Sequence, residues 1–392
     1  MSVVVTGLGT IGPWGTGADA LAVALRDGRP CARGVDRAAG YHRRGSARAS
    51  ALVPPEALAA AVPPALGRRM SPCSKLAVGA TRLALRDAGL PDRPAEGVTA
   101  VALATNFGPS SCTEELLRQI LDEGPEAASP FAFTECVANA PAGQIAIFTG
   151  ARGPNATVMQ REAGALLAVA RGAAEIRAGR ADRALVGSVD EVTPLTHAIL
   201  DRFRALSRSD VARPFDRRRD GFLVSEGAAV LVLEREEDAR ARGARVRARI
   251  GPLARAFDAG APPHGWGTGS DALAGALRER VGPAPLDRVV SGASGARAGD
   301  RLQARVLRAA FPDLAPVLAP KGVTGEFGGG FLAAAVLAAE GAPFGPTAGF
   351  AEPDPGLGLV PHDGRPLPPP GRVLVSALAS GGAAAWLVLE RP

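Results

Sequence analysis

Apolar and polar positions follow two rhythms along this chain, and the two alternate from end to end. Residues 3–6 (VVVT) are a β-branched run that predicts a first strand. A glycine-rich turn is expected over 7–12, then an amphipathic helix over 18–26. Apolar residues recur at helical spacing over 74–89, with Gly89 as the stop. Residues 98–104 read as a buried strand and 112–122 as a helix. A long Ala-rich helix over 163–178 closes at Gly179, and buried strands follow at 183–187 and 227–234. A charged, solvated helix is predicted over 234–243. The theme then restarts with strand 288–291, helix 301–311, strand 316–319 and a strongly apolar helix over 331–340. After a proline-rich surface loop at 366–370, strands over 371–376 and 385–390 close the chain. Such alternation implies α/β layers, and its repetition implies a duplicated fold with halves 1–244 and 245–392.

Composition narrows the class. At 392 residues, 46% hydrophobic and 21% charged, the chain can bury a sizeable core and is not disordered. Its 49 glycines and 34 prolines follow no G-X-Y period, which excludes collagen and adds tight turns. No apolar run approaches the roughly 20 residues that span a bilayer. The start MSVVVTGLG lacks the charged flank of a secretory signal, so a soluble cytoplasmic protein with no membrane partner is expected. The net charge is +6, yet all but two of the basic residues (Lys75 and Lys321) are arginines spread along the chain. The densest run, Arg217-Arg218-Arg219, is flanked by Asp216 and Asp220. Without an aromatic-interleaved basic stripe, nucleic acid is not an expected partner; an acidic protein is. Cys31, Cys73, Cys112 and Cys136 show no paired spacing and the four histidines are scattered, so neither a metal site nor a disulfide framework is expected.

Gly7-Leu8-Gly9-Thr10-Ile11-Gly12 has the form of a dinucleotide fingerprint. Pro13-Trp14-Gly15 follows where a phosphate would need a helix N-terminus, and no strand ending in an acid lies at the required distance. A plain glycine turn is the simpler reading.

Several segments together resemble one family. They are VVVTGLGTIGPWG at the start, RRMSPCSKLAVGATRLALRDAGL (68–90), GARGPN (150–155) and RAGRADRALVGSVDEVTP (177–194). ARPFDRRRDGFLVSEGAAVLVLE (212–234), KGVTGEFGGG (321–330) and VSALASGGAAAWLVL (375–389) complete the set. In order and spacing these resemble the β-ketoacyl-acyl-carrier-protein synthases. The resemblance implies a thiolase-like duplicated α/β fold in five layers, αβαβα, normally dimeric.

It also implies where the chemistry should lie, and there this chain departs. The family's nucleophile is a cysteine at a helix N-terminus, where the dipole favours thiolate. Counting back from residues 178–182 places Glu162 at that position, and a carboxylate cannot take an acyl group as a thioester. The two family histidines fall at Gly292 and at Glu326, the latter after a retained Lys321. Ser380 stands where a gating phenylalanine is expected. No cysteine follows Cys136 and no histidine lies between His264 and His362, so no local shift restores the triad. Glu162 and Glu326 should share one pocket, where one carboxyl has a raised pKa unless Arg161 pairs with it or a network with Lys321 holds both.

Glu162-Ala163-Gly164-Ala165-Leu166 is similar to the Gln-Ala-Gly-Gly-Leu of chain-length factors, the ketosynthase β-subunits of type II polyketide synthases. This implies a non-condensing subunit that pairs with a ketosynthase α-subunit and shapes its acyl-chain tunnel. Substrates would ride on the phosphopantetheine of an acyl carrier protein, with no cofactor of the chain's own. Two alternatives stand beside it. One is a malonyl-carrier-protein decarboxylase using Glu162, which the missing imidazoles at 292 and 326 disfavour; the other is a homodimeric scaffold. Counting back from Gly124-Pro125 places Ser110, Thr113 and Leu117 at tunnel-gating positions, unless they merely pack beneath a dimer interface. Ser111 and Glu114 have the form of a capping box, which would leave Ser110 just outside the first helical turn.

Overall fold

The computed structural model describes residues 1–94 and 96–392. Ten principal strands form its frame. They are β1 Val3–Gly12, β2 Thr99–Ala104, β3 Asn155–Val158, β4 Arg183–Asp190 and β5 Gly227–Arg235, then β6 Ala248–Phe257, β7 Arg288–Ser291, β8 Val317–Leu318, β9 Arg372–Leu378 and β10 Ala383–Glu390. Their lateral order is β8-β7-β9-β10-β6-β1-β5-β4-β2-β3. In the first five, β3, β2 and β4 run parallel while β5 and β1 continue antiparallel. In the second five, β8, β7 and β9 run parallel while β10 and β6 continue antiparallel. The halves thus repeat one topology, and within the sheet β1 pairs with β6 through Val4↔Arg249 and Val5↔Ala248.

Helices complete the layers. Helices α1 (Pro72–Asp87) and α3 (Ala140–Thr149) cover the outer face of the first half, while α2 (Ser110–Glu123) packs on the short helix Pro130–Cys136. Helix α4 (Gly164–Arg177) lies against β2 and β4, while α5 (Ser270–Val281) and α6 (Arg297–Ala310) cover the outer face of the second half. Helix α7 (Gly330–Glu340) packs on strands of both halves, so α4 and α7 form the middle layer. A helix apolar on every side has no face to offer water. Every residue of α7 from Gly330 to Ala339 is accordingly buried. This is the five-layered thiolase-like arrangement. Among the described residues no helix is long and apolar enough to cross a membrane.

Three expectations change. Residues 7–12 are not a turn, because β1 runs unbroken to Gly12. Its glycines instead let α1 approach the strand. A Cβ on Gly9 would lie 2.0 Å from the Ala80 carbonyl oxygen, and one on Gly7 would lie 2.2 Å from that of Ala84. Close-packed interiors cannot absorb such overlap without moving a whole helix. Gly9→Ala is therefore expected to lower stability by about 3 kcal/mol or more, read as an earlier urea midpoint. Secondly, the Ser111–Glu114 capping box does not form. Helix α2 begins at Ser110, and its first amides are met from elsewhere, with the Ser111 N–H donating to Glu191 Oε1 at 2.6 Å. Thirdly, β6 and α5 had no forecast. The β6 sequence ARIGPLARAF interrupts its alternation with Pro252 and two arginines, so its strand character depends on the pairing with β10.

Candidate functional site

The parallel strands of both halves end at one crevice, where α/β sheets characteristically place their chemistry. Beyond β2 come Asn106 and Phe107; at the end of β4, Asp190; beyond β7, Gly292; beyond β9, Ser380. Asp190 holds its neighbours in place by accepting from the N–H groups of Asn106 (2.7 Å) and Phe107 (3.0 Å). Burial pushes its carboxyl up to about 6.

Glu162 enters from a short 3₁₀ turn, Arg161–Ala163, that leads directly into α4. Its carboxylate accepts from the Ser380 N–H at 3.1 Å and from Ser380 Oγ at 3.3 Å. Burial is the main influence on it and the nearby Glu326 charge the next, and together they raise its pKa to about 7. A carboxylate at a helix N-terminus should be favoured by the dipole. Here desolvation outweighs that field.

Lys321 and Glu326 form an ion pair with both side chains almost wholly buried, 1% and 2% exposed. The Lys321 ammonium also sits 4.9 Å from the centre of the Phe331 ring, on α7. The backbone of Glu326 is locked on both sides, its N–H donating to Leu223 O and its carbonyl accepting from Ser225 N–H, each at 2.8 Å. Gly292 lies beside this pair, since a Cβ there would stand 3.7 Å from Lys321 Nζ. Glu162, Gly292, Lys321, Glu326 and Ser380 therefore converge although up to 218 residues separate them.

Arg161 does not pair with Glu162, contrary to expectation. Its backbone takes φ 45°, and its guanidinium donates to Ser380 Oγ and to His264 Nδ1, each at 3.2 Å. The charge network is also narrower than expected. Lys321 bonds Glu326 and reaches Glu162 only through space. His264 was unforeseen as a site residue, and nothing in its sequence neighbourhood marks it.

A cavity of about 20 Å³ lies over Glu162, Asp190, Lys321 and Glu326. Outside it, a wider cavity of about 630 Å³ opens to the surface, with Arg161, Glu162 and Ser380 among its lining. Among the described residues no cysteine lines either space, and His264 is the one imidazole in the outer cavity. The floor can offer a carboxyl that is partly protonated near neutrality and a neutralised ion pair. It offers no thiolate to attack a thioester.

Ser110, Thr113 and Leu117 lie away from this floor on one face of α2. Ser110 Oγ donates to Glu191 Oε1 (3.3 Å), Thr113 Oγ1 donates to Cys136 O (3.1 Å), and Leu117 is 53% exposed.

A duplicated five-layer protein with its crevice at the ends of paired parallel strands is a thiolase-like protein of the ketosynthase type. The profile of the beta-ketoacyl synthase N-terminal domain matches residues 1–239, and the chain belongs to that family. It is 34% identical to the tetracenomycin polyketide synthase ketoacyl synthase beta subunit of Streptomyces glaucescens, over 99% of this chain and 98% of that one. It is 31% identical to a 3-oxoacyl-[acyl-carrier-protein] synthase 2 of Staphylococcus aureus, over 83% of each chain. Among solved structures, the ishigamide ketosynthase/chain length factor superposes with a TM-score of 0.89 at 30% identity, covering 100% of this chain and 99% of that one.

Proposed function

We propose that this chain is the chain-length-factor subunit of a type II polyketide or fatty-acid-like synthase. It is a non-condensing partner that pairs with an active ketosynthase and shapes the tunnel for the growing acyl chain. The observation that carries this reading is the crevice floor, where Glu162, Gly292 and Glu326, which the resemblance sets against the family's cysteine and two histidines, lie together around Lys321. A lysine neutralises one carboxylate there, and among the described residues no cysteine lines the floor. The names of two relatives, a ketoacyl synthase beta subunit and a ketosynthase/chain length factor, support the same role.

A partner subunit also suits the surface. Strand β3 is paired on one side only, leaving a free edge. The neighbouring helices and the residue after β3 expose Leu117, Leu121, Phe133, Ile147 and Met159. Covering such side chains is what stable subunit interfaces accomplish. Leu117 would gain its tunnel role only with that partner in place. The substrates would ride on the phosphopantetheine of an acyl carrier protein in the cytoplasm, and the chain would need no cofactor itself.

The test is co-expression with an intact ketosynthase. The chain alone should form no carbon–carbon bond from acyl- and malonyl-carrier proteins, and the two proteins should co-purify as a 1:1 dimer. Phe at both Ser110 and Thr113 should then shorten the released chains while leaving assembly intact. Condensation by the lone chain, or an unchanged product distribution in the double variant, would overturn the corresponding half of the reading.

A further inference from the structure

The outer cavity carries chemistry that a tunnel-shaping role does not use. Five of the chain's seventeen aromatic residues, Phe107, Phe203, Phe222, Trp266 and Phe327, line this one space. Phe327 is held at φ 75° and meets Phe107 and Phe222 edge-on, at 5.4 and 5.9 Å between centroids. Three guanidinium groups, those of Arg161, Arg204 and Arg297, face the same space. None of the three has a carboxylate within 4 Å among the described residues, although arginine–carboxylate pairs are frequent elsewhere in the molecule. Arg161 is aimed by two acceptors, Ser380 Oγ and His264 Nδ1. A guanidinium has five N–H donors, so these two contacts fix its orientation and leave donors over for a ligand.

The two acids in the lining do not compete for those cations. Asp220 is taken up by Ser207 Oγ at 2.7 Å and by the N–H groups of Arg208 and Ser209 at 3.2 Å. Glu162 is turned onto Ser380. The charge open to the lumen is therefore positive, set in aromatic walls. We propose that the outer cavity binds a small amphipathic anion, an aliphatic or aromatic body with one carboxylate or phosphate head, and that Arg161 is the head-group ligand. Planar bidentate recognition of such heads is what the arginine fork supplies and a lysine does not. A volume of about 630 Å³ suits a ligand of this size. The inference stands on the cavity alone and does not depend on the chain-length-factor reading.

Isothermal titration of the full-length chain, with its partner subunit where one is needed for solubility, tests it with octanoate, octyl phosphate and octanol. Both anions should bind saturably, and octanol at least tenfold more weakly. Arg161→Met should weaken both anions at least tenfold and leave octanol unchanged, while Arg161→Lys should retain part of the affinity. Because Arg161 also touches Ser380, Ala298→Trp serves as a second variant that fills the cavity and should abolish binding of all three. Tighter binding of octyl phosphate than of octanoate would assign the head to a phosphate monoester. The reverse order would assign it to a free acid. Octanol binding as tightly as octanoate, or anion binding unaffected by both Arg161→Met and Ala298→Trp, would overturn the proposal.

Discussion

Replacing Lys321 by Met is expected to cost about 3–5 kcal/mol of folding stability at pH 8, the usual penalty for stranding one member of a buried ion pair. Glu326 has its cation as the Lys321 ammonium, and its own backbone bonds to Leu223 and Ser225 prevent it from turning out to water. Removing the cation would leave Glu326 and Glu162 as two buried carboxyls in one crevice. The loss should shrink at pH 5, where protonation can neutralise what the lysine no longer does. Lys321→Met combined with Glu326→Met should recover most of it, because an apolar pair of similar volume has no charge to desolvate. Urea unfolding of the single and double variants at both pH values reads all of this. A single variant as stable as the parent at pH 8 would show that the pair does not hold the crevice together.

Glu162→Gln, by contrast, should stabilise the protein. The carboxyl of Glu162 is raised from an ordinary 4.5 to about 7, by burial first and by Glu326 second. A folded state that holds its proton more tightly than the unfolded chain loses stability as pH climbs from about 4.5 to about 7, then levels off. A shift of that size corresponds to roughly 3 kcal/mol in the alkaline limit. The amide cannot ionise, yet it keeps an oxygen to accept from the Ser380 N–H. The variant should therefore gain about 1–3 kcal/mol at pH 8, with the gain falling steadily toward pH 5. A thermal-melting series across that range would display the crossing. Equal melting curves at every pH would mean that Glu162 ionises normally.

Both expectations rest on contacts that the sequence named only in part. The resemblance singled out Glu162, Gly292, Glu326 and Ser380 for a nucleophile, two imidazoles and a gate, with Lys321 retained, and the fold brings the five together. Their partners were not legible. Adjacency in the chain pointed Arg161 at Glu162, yet the turn that begins α4 holds Arg161 at φ 45° and its guanidinium reaches Ser380 and His264 instead. Residues next to each other in a tight turn need not project the same way. The aromatic cavity was invisible for a related reason, since its walls come from segments between Asn106 and Ser380 with no shared motif.

By itself, the sequence determined what depends on a local period or on an absence. The alternation of apolar runs predicted layered α/β halves and the all-apolar stretch around Phe331 a helix, which the structure then buries between the two halves. The absence of cysteine beyond Cys136 excluded a thiol at position 162 or at any local shift from it. The tertiary structure decided everything that depends on distance. Glycines at 7 and 9 carry the same letters in a phosphate loop and in a strand, and only the approach of α1, leaving no room for a Cβ, makes them a packing surface. Likewise only the convergence of strand ends from both halves removes the water from Glu162, and the loss of that water is what raises its pKa.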